Sequence, residues 1–389
     1  MTSFKKVLLR GGLAVTALYS TSLLHAATLG TFNDTTITVG GFVKFDAMVS
    51  DYSDGTLAAG SIGRDFYVPS VTPVGGESEG VAVDMHARQS RFNLGTSTEL
   101  GGHTLKTFIE LGFLATTGGD ERITNSYSPR MRHAFLTYDK WLFGQTWTTF
   151  QNTGALPETA DFIGNTDFGI FARQAQIRYT TGNWQFAMEN PETTVTPNGG
   201  GGRIVTDDNG TPDFVGRYNF NSGNLAFAAA VLVRQLAYDD GGAIDSTTSS
   251  TGFSFSGKYK IGQDDIRFGV NTGVGMGRYI GLNVSNGAVL DAQGDLQAID
   301  STAAYFAYRH FWNEKVRSTI SYSMIDIDND TDLTGMGAIS GTDSLRLNVF
   351  YSPVKSLSLG WELTLANKEL ESGADGSMDR LQFTAKLGF

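Results

Sequence analysis

The stretch Leu357-Ser-Leu-Gly-Trp-Glu-Leu-Thr-Leu365 constrains the fold more than any other. Leu357, Leu359, Trp361, Leu363 and Leu365 lie on one parity, with Ser358, Glu362 and Thr364 on the other. Side chains alternate across a strand with a period of two, so this run is a strand with one apolar and one polar face. The pattern recurs along the chain. Val43 and Phe45 alternate with Lys44 and Asp46, and Leu381, Phe383, Ala385, Leu387 and Phe389 with Arg380, Gln382 and Lys386. Sixteen such segments are predicted between about Thr36 and Phe389. Seven short turns, such as Leu100-Gly-Gly102 and Thr181-Gly-Asn183, alternate with eight longer loops. An even strand count with unequal turns is the pattern of a bacterial transmembrane β-barrel. In lipid every backbone polar group must be paired, so such a sheet has to close. The expected fold class is all-β, a 16-stranded antiparallel transmembrane barrel. A soluble sandwich also alternates, but seldom through sixteen hairpins with such regular turn asymmetry.

The amino terminus fits export. Lys5, Lys6 and Arg10 precede an apolar core, Gly11 to Leu24, and small residues at Ala26 and Ala27 offer a cleavage point. An apolar core of about 14 residues is too short to span a bilayer as a helix. Residues 1–27 are read as a signal peptide and 28–389 as the barrel domain, destined for the bacterial outer membrane. The chain has no cysteine, so burial and hydrogen bonds alone must hold it. A net charge of −11 argues against nucleic acid as a partner.

One loop is unusual. Strands are predicted at Trp141–Phe150 and Phe171–Thr180, with roughly 20 residues between them, a length that is usually functional. The loop carries Glu158, Asp161 and Asp167. The sequences GQTWTTF (144–150), PETADF (157–162) and FARQAQIRY (171–179) resemble the corresponding stretch of the DcaP-like outer-membrane porins. A looser likeness runs through GGFVKFDAMVSDYSDG (40–55) and most of the chain after residue 27. The resemblance implies a homotrimer, a preference for dicarboxylates and similar organic acids, and a loop after the fifth strand that folds inward to constrict the pore. Some members carry a helical coiled coil before the first strand; here about nine residues follow Ala27, without heptads. The terminal Phe389 resembles the signal read by the barrel-insertion machinery.

Alternation assigns the inner wall. Its predicted basic residues are Lys44, Arg91, Arg132, Arg173, Arg178, Arg217, Arg234, Arg309, Arg317 and Arg346, with Lys106, Lys258, Arg267 and Lys386. The inward acids on the same strands are fewer: Asp46, Glu110, Glu189 and Glu362. Arg and Lys rings favour anions, and Arg matches carboxylates with two parallel hydrogen bonds. Any single arginine could instead hold a loop carbonyl or pair with an acid. The set implies passive diffusion of small anions, with the loop acids setting a transverse field against the basic wall. Alternatives are a general or sugar-admitting porin, or a non-conducting structural or adhesive barrel. Most aromatics fall on the outward parity, which counts against a sugar slide.

Other motifs are weak. Asp326, Asp328, Asp330 and Asp332 alternate, but an EF-hand starting at Asp328 would need Gly and Glu where Leu333 and Ile339 stand. No metal or other cofactor is expected. His86, His103, His133 and His310 are scattered without a Ser–His–acid set, so no enzymatic function is expected. Acidic outer loops would meet lipopolysaccharide.

Overall fold

The structure is a computed structural model that describes residues 27–116 and 124–389. The expected export signal therefore lies, apart from Ala27, outside the described residues.

A short strand β1 (Ala27–Phe32) turns into the long β2 (Thr35–Tyr52). Then follow β3 (Ala82–His86), β4 (Arg91–Leu100), β5 (His103–Gly112), β6 (Arg130–Tyr138), β7 (Trp141–Trp147), β8 (Arg173–Thr181) and β9 (Trp184–Glu189). After two loop strands, β10 (Thr193–Thr196) and β11 (Ile204–Thr206), the wall resumes with β12 (Asp213–Ser222), β13 (Leu225–Asp239), β14 (Asp245–Ile261) and β15 (Asp264–Val274). A second loop pair, β16 (Ala288–Leu290) and β17 (Leu296–Ala298), precedes β18 (Asp300–Phe311), β19 (Val316–Asp328), β20 (Ile339–Val354), β21 (Leu357–Leu370) and β22 (Asp375–Gly388).

These strands close. β22 pairs with β2 from Gly388↔Phe42 to Met378↔Tyr52, and Gly41 and Phe389 exchange backbone hydrogen bonds of 3.1 Å. The 18-stranded sheet contains a 16-stranded barrel among the described residues. β3 and β4 pair end to end along β2 and count as one wall strand, while β1 is extra. β1 pairs with the first residues of β2, just before the Gly41–Phe389 closure. The nine residues after Ala27 thus form a hairpin. Its turn is Asn33-Asp34, at φ 46° and 65°, the left-handed geometry of tight hairpins that Asn and Asp tolerate.

Burial is inverted relative to a soluble protein. Outward Phe92, Phe186, Phe253 and Trp361 are exposed, whereas inward Arg346, Arg380, Glu362 and Gln382 are almost wholly covered. An apolar outer band over a polar interior is what a bilayer requires of a barrel.

Three expected loops carry more order than the alternation suggested. β13 and β14 run on to Asp239 and Asp245, so the connection read at about 239–250 shrinks to 240–244. Residues 190–212 and 280–299 contribute β10, β11, β16 and β17, which form their own four-stranded sheet with a parallel β10–β16 pair. That sheet packs on the extended β13 through Val195, Leu236, Ala288, Leu290 and Leu296. Of the aspartate run, Asp326 and Asp328 lie on β19, and Asp330 caps a short helical turn by accepting from the Asp332 amide at 3.1 Å.

Candidate functional site in the barrel interior

The segment 148–172 after β7 reaches side chains of the far wall. Glu158 reaches β18 and β19: its carboxylate takes Arg317 Nε at 2.7 Å and Nη2 at 2.6 Å, and Arg309 Nη1 at 3.3 Å. Its carbonyl accepts from Asn348 Nδ2 on β20 at 2.9 Å. On β21, the buried Glu362 accepts the backbone N–H groups of Ala160 at 2.8 Å and Asp161 at 3.2 Å. Tyr305 Oη donates to the Ala155 carbonyl at 2.5 Å, and Asn271 Nδ2 to that of Phe168 at 3.1 Å.

The other two loop acids have a different task from the one expected. Asp161 accepts the N–H of Tyr67 at 3.0 Å and that of Ile163 at 3.0 Å. Asp167 accepts hydroxyls from Tyr67 (2.9 Å), Ser323 (2.7 Å), Thr342 (2.7 Å) and Ser344. Both are buried, and no lysine or arginine is hydrogen-bonded to either among the described residues. Asp161 and Asp167 fasten the loop to the wall and to the segment after β2, because a buried carboxylate needs several donors to replace its water.

Much of the interior on one side is apolar. Phe150, Phe168 and Ile170 of the loop and Tyr279, Ile280 and Val284 after β15 pack on inward Val215, Leu232, Ala303, Ile325 and Ile327. This plug was not anticipated. Its sequence sign is apolar residues on both parities, as in Ala228–Val233 and Met324–Ile325, which marks strands covered on both faces. A buried polar network borders it. Tyr279 Oη donates to Asp213 at 2.9 Å, Gln174 Nε2 to Glu189 at 2.6 Å, and Arg234 pairs with Asp213 at 3.2 Å.

The opposite arc, from β22 through β2, β4 and β5 to β6, is basic. Lys44 and Lys386 are cross-strand partners and both point inward. Lys386 Nζ lies 4.2 Å from the Phe42 ring centroid, with Arg91 5.2 Å from the same ring. Arg91 Nη1 is 3.7 Å and Arg132 Nε 2.8 Å from one oxygen of Glu110. Phe162, from the loop, sits 5.8 Å and 5.5 Å from these two guanidinium carbons. Lys44 Nζ donates to the loop carbonyl of Ala160 at 2.6 Å and pairs with Asp46 at 3.1 Å.

Arg132 reaches this arc through a bulge. Leu136 and Tyr138 are exposed, so strict alternation would turn Arg132 outward too. The register slips between Glu110 and Leu111, and both Arg132 and His133 come to lie inside. Higher up, the wall opens. β6 and β7 pair only from Tyr138↔Trp141 to Ala134↔Gln145, leaving Arg130–His133 unpaired on that side. Gly144, at φ 125°, lets the strands part; a Cβ there would collide with the Ala134 carbonyl.

The remaining predicted residues divide by partner. Arg178 donates to Gln176 Oε1 (2.9 Å) and the Trp147 carbonyl (2.6 Å), and Arg217 to Asn219 Oδ1 (2.8 Å) and the Gln151 carbonyl (2.6 Å). For these the plainer role of holding backbone carbonyls applies, at the end of β7 for Arg178 and in the loop for Arg217. Arg309 also meets Asp265 at 2.5 Å. Arg346 is covered by Tyr67, at 5.2 Å, and donates to Ser344 at 2.7 Å. Arg173 departs from the set. It shares parity with the exposed Ala175 and Ile177, and its guanidinium lies on Trp147 (4.2 Å) and Phe171 (4.6 Å). Asp213 and Asp265 were missed as inward acids, because each stands at the very start of its strand, just before the first residue the alternation assigned to a face. Arg130 was missed at the start of β6.

The sequence model of the DcaP outer membrane protein family matches residues 34–389. No curated protein matches the chain significantly. Among solved structures, the outer membrane channel DcaP of Acinetobacter baumannii is similar at TM-score 0.78 and 22% identity, over 93% of this chain and 100% of that one. In-vitro folded OmpT of Vibrio cholerae aligns at TM-score 0.57 and 14% identity, over 94% and 100% of the two chains. An anion-selective porin from Comamonas acidovorans does so at TM-score 0.57 and 11% identity, over 91% and 100%. With the family match covering nearly the whole barrel, and a fold shared with outer-membrane porins, this chain belongs to the DcaP outer membrane protein family.

Proposed function

We propose that the protein is a passive channel for small anionic solutes, with dicarboxylates and similar organic acids as its principal class. The observation that carries this reading is the basic arc. Lys44, Lys386, Arg91 and Arg132 follow one another around β22, β2, β4 and β6, whereas the inward acids beside them are Asp46 and Glu110. A surplus of fixed positive charge on a confined wall lowers the entry cost for anions and raises it for cations. The loop 148–172 reaches into the lumen, with Glu158 bound to the far wall and Phe162 beside Arg91 and Arg132 of the arc, which supports a narrowed passage. The dicarboxylate preference rests on the family resemblance, and so does assembly as a homotrimer. Export, insertion by the barrel-assembly machinery and a lipopolysaccharide-facing rim complete the proposal.

Purified protein in planar bilayers tests it. Discrete conductance steps and a reversal potential in a potassium chloride gradient that favours chloride are expected. A preference for potassium overturns anion selectivity, and absence of steps overturns the channel itself. The preference should fall at high salt, where the Debye length shrinks to about 3 Å at 1 M.

A further inference from the structure

We propose that the arginines at the open seam between β6 and β7 form a phosphoryl-binding site, which makes phosphate monoesters a solute class of this channel. The inference rests on the anion-channel reading and adds a head-group chemistry to it.

Four guanidinium groups gather there: Arg91 from β4, Arg130 and Arg132 from β6, and Arg173 from β8. Arg173 is within electrostatic reach of the other three. Arg91 and Arg132 converge on a single point, since the same Glu110 oxygen lies 3.7 Å from one and 2.8 Å from the other. One carboxylate among the described residues does not balance four cations at close range. The nearby His133 does not change the balance in favour of acid, as its Nδ1 is engaged with Thr146 Oγ1 at 2.9 Å.

The hydrogen-bonding edges are open. Arg91 Nε, Arg130 Nε and Arg173 Nη1 are buried without a protein acceptor. Their faces are taken instead. Arg173 stacks on Trp147 and Phe171, at 4.2 Å and 4.6 Å, and Arg91 and Arg132 flank Phe162, at 5.8 Å and 5.5 Å. Ring contact occupies the guanidinium face and leaves the in-plane N–H fork for an oxyanion. A buried donor without an acceptor is costly, so this site is organised for a group that arrives from outside the protein.

Convergence selects the group. A dicarboxylate carries its two charges at separate ends. A phosphate monoester carries about −1.5 to −2 at pH 7, spread over three strong acceptor oxygens around a single phosphorus, and suits several arginines aimed at one point. The same chemistry exists on lipopolysaccharide, so the source has to be separated experimentally.

Chloride current through the full-length channel in lipopolysaccharide-free bilayers is titrated with methyl phosphate, succinate and acetate. Methyl phosphate is expected to halve the current at a concentration at least tenfold below succinate. Arg130→Gln and Arg173→Gln should each erase that advantage. Among the described residues neither has an acid within ion-pair distance to strand, and heat-modifiable mobility on gels reports whether each variant is folded. Equal potency of methyl phosphate and succinate in an anion-selective channel overturns the site and leaves the anion reading intact. Cation selectivity overturns both. An equal loss with Arg309→Gln on the opposite wall also overturns the site, because it reveals a diffuse field. Lipopolysaccharide added to the extracellular side should leave the methyl phosphate block unchanged; abolition of the block would assign the arginines to a lipid phosphate and overturn the solute class.

Discussion

Glu158 and Arg317 meet as a two-point ion pair, Oε1 with Nη2 at 2.6 Å and Oε2 with Nε at 2.7 Å. One residue belongs to the loop after β7 and the other to β19, so the pair ties the loop across the barrel. Fork-to-carboxylate geometry fixes direction as well as distance. Arg309 adds a third contact at 3.3 Å. Glu158→Gln keeps the size of the side chain and removes its charge. The loop's hold should weaken by about 1–2 kcal/mol, the lower part of the range for charge-assisted bonds because the pair is partly wetted. Open-channel current noise should rise, and the reversal potential should shift toward chloride as Arg317 loses its counter-charge and Arg309 keeps only Asp265. Unchanged noise and selectivity would show that the loop is held without this pair.

Loop position can be read chemically. Asp161 is a poor reporter because its carboxylate is buried beneath Tyr67, so a cysteine there would disturb the anchor. Thr159 is half-buried two residues earlier. Thr159→Cys should react with small charged thiol reagents that enter the pore, and the reaction should reduce conductance. Reaction with bulky impermeant reagents from outside, with conductance unchanged, would place the loop away from the pore.

Much of this architecture is legible in the sequence. The strand parity of Leu357–Leu365, the tight turns, and the inward assignment of Lys44, Arg91, Arg317 and Arg346 follow from a period of two and from turn chemistry. What escapes alternation are departures from it. Arg132 faces inward only because a bulge slips the β5–β6 register, and a bulge has no reliable mark in a single sequence. The apolar plug depends on Phe168 meeting Tyr305, residues far apart in the chain whose ring centroids lie 4.5 Å apart. The tasks of Asp161 and Asp167 are set by backbone amides and hydroxyls from distant segments, which composition does not foretell.

The turn between β6 and β7 offers a test in acid. Asp139 holds its carboxyl below the ordinary carboxylate range by accepting from His103, at 2.7 Å, and from the Thr104 amide, at 3.0 Å. Its folded value is depressed relative to about 3.9 in the unfolded chain. The stabilisation it brings is therefore fully present above about pH 4 and is lost as pH falls through the lower folded value. Asp139→Asn should flatten that part of the stability profile of refolded barrels in denaturant, lowering stability at pH 7 while leaving it close to the parent's at low pH. Asn also tolerates the positive φ of 49° found here. A variant with an unaltered acid limb would show that other carboxylates govern the transition.

Arg132 and Arg346 provide the sharpest comparison between a local site and a general field. Both are inward and almost wholly covered. Arg132 belongs to the basic arc, shares Glu110 with Arg91 and borders Phe162. Arg346 is covered by Tyr67 and lies 3.9 Å from Glu362, beside the acids that anchor the loop. A charge-assisted contact with a solute carboxylate is worth about 1.5–3 kcal/mol, nearer the lower end where water shares the pore. Arg132→Ala should then weaken succinate block of chloride current by about tenfold, since 1.4 kcal/mol is a factor of ten. Arg346→Ala should change the block by much less, although each truncation leaves a buried carboxylate, Glu362 or Glu110, with one cationic neighbour fewer and lowers barrel stability. Equal loss of block in the two variants would replace the site with a diffuse potential. No loss in either would make the inner cations structural, and the anion channel would need another basis.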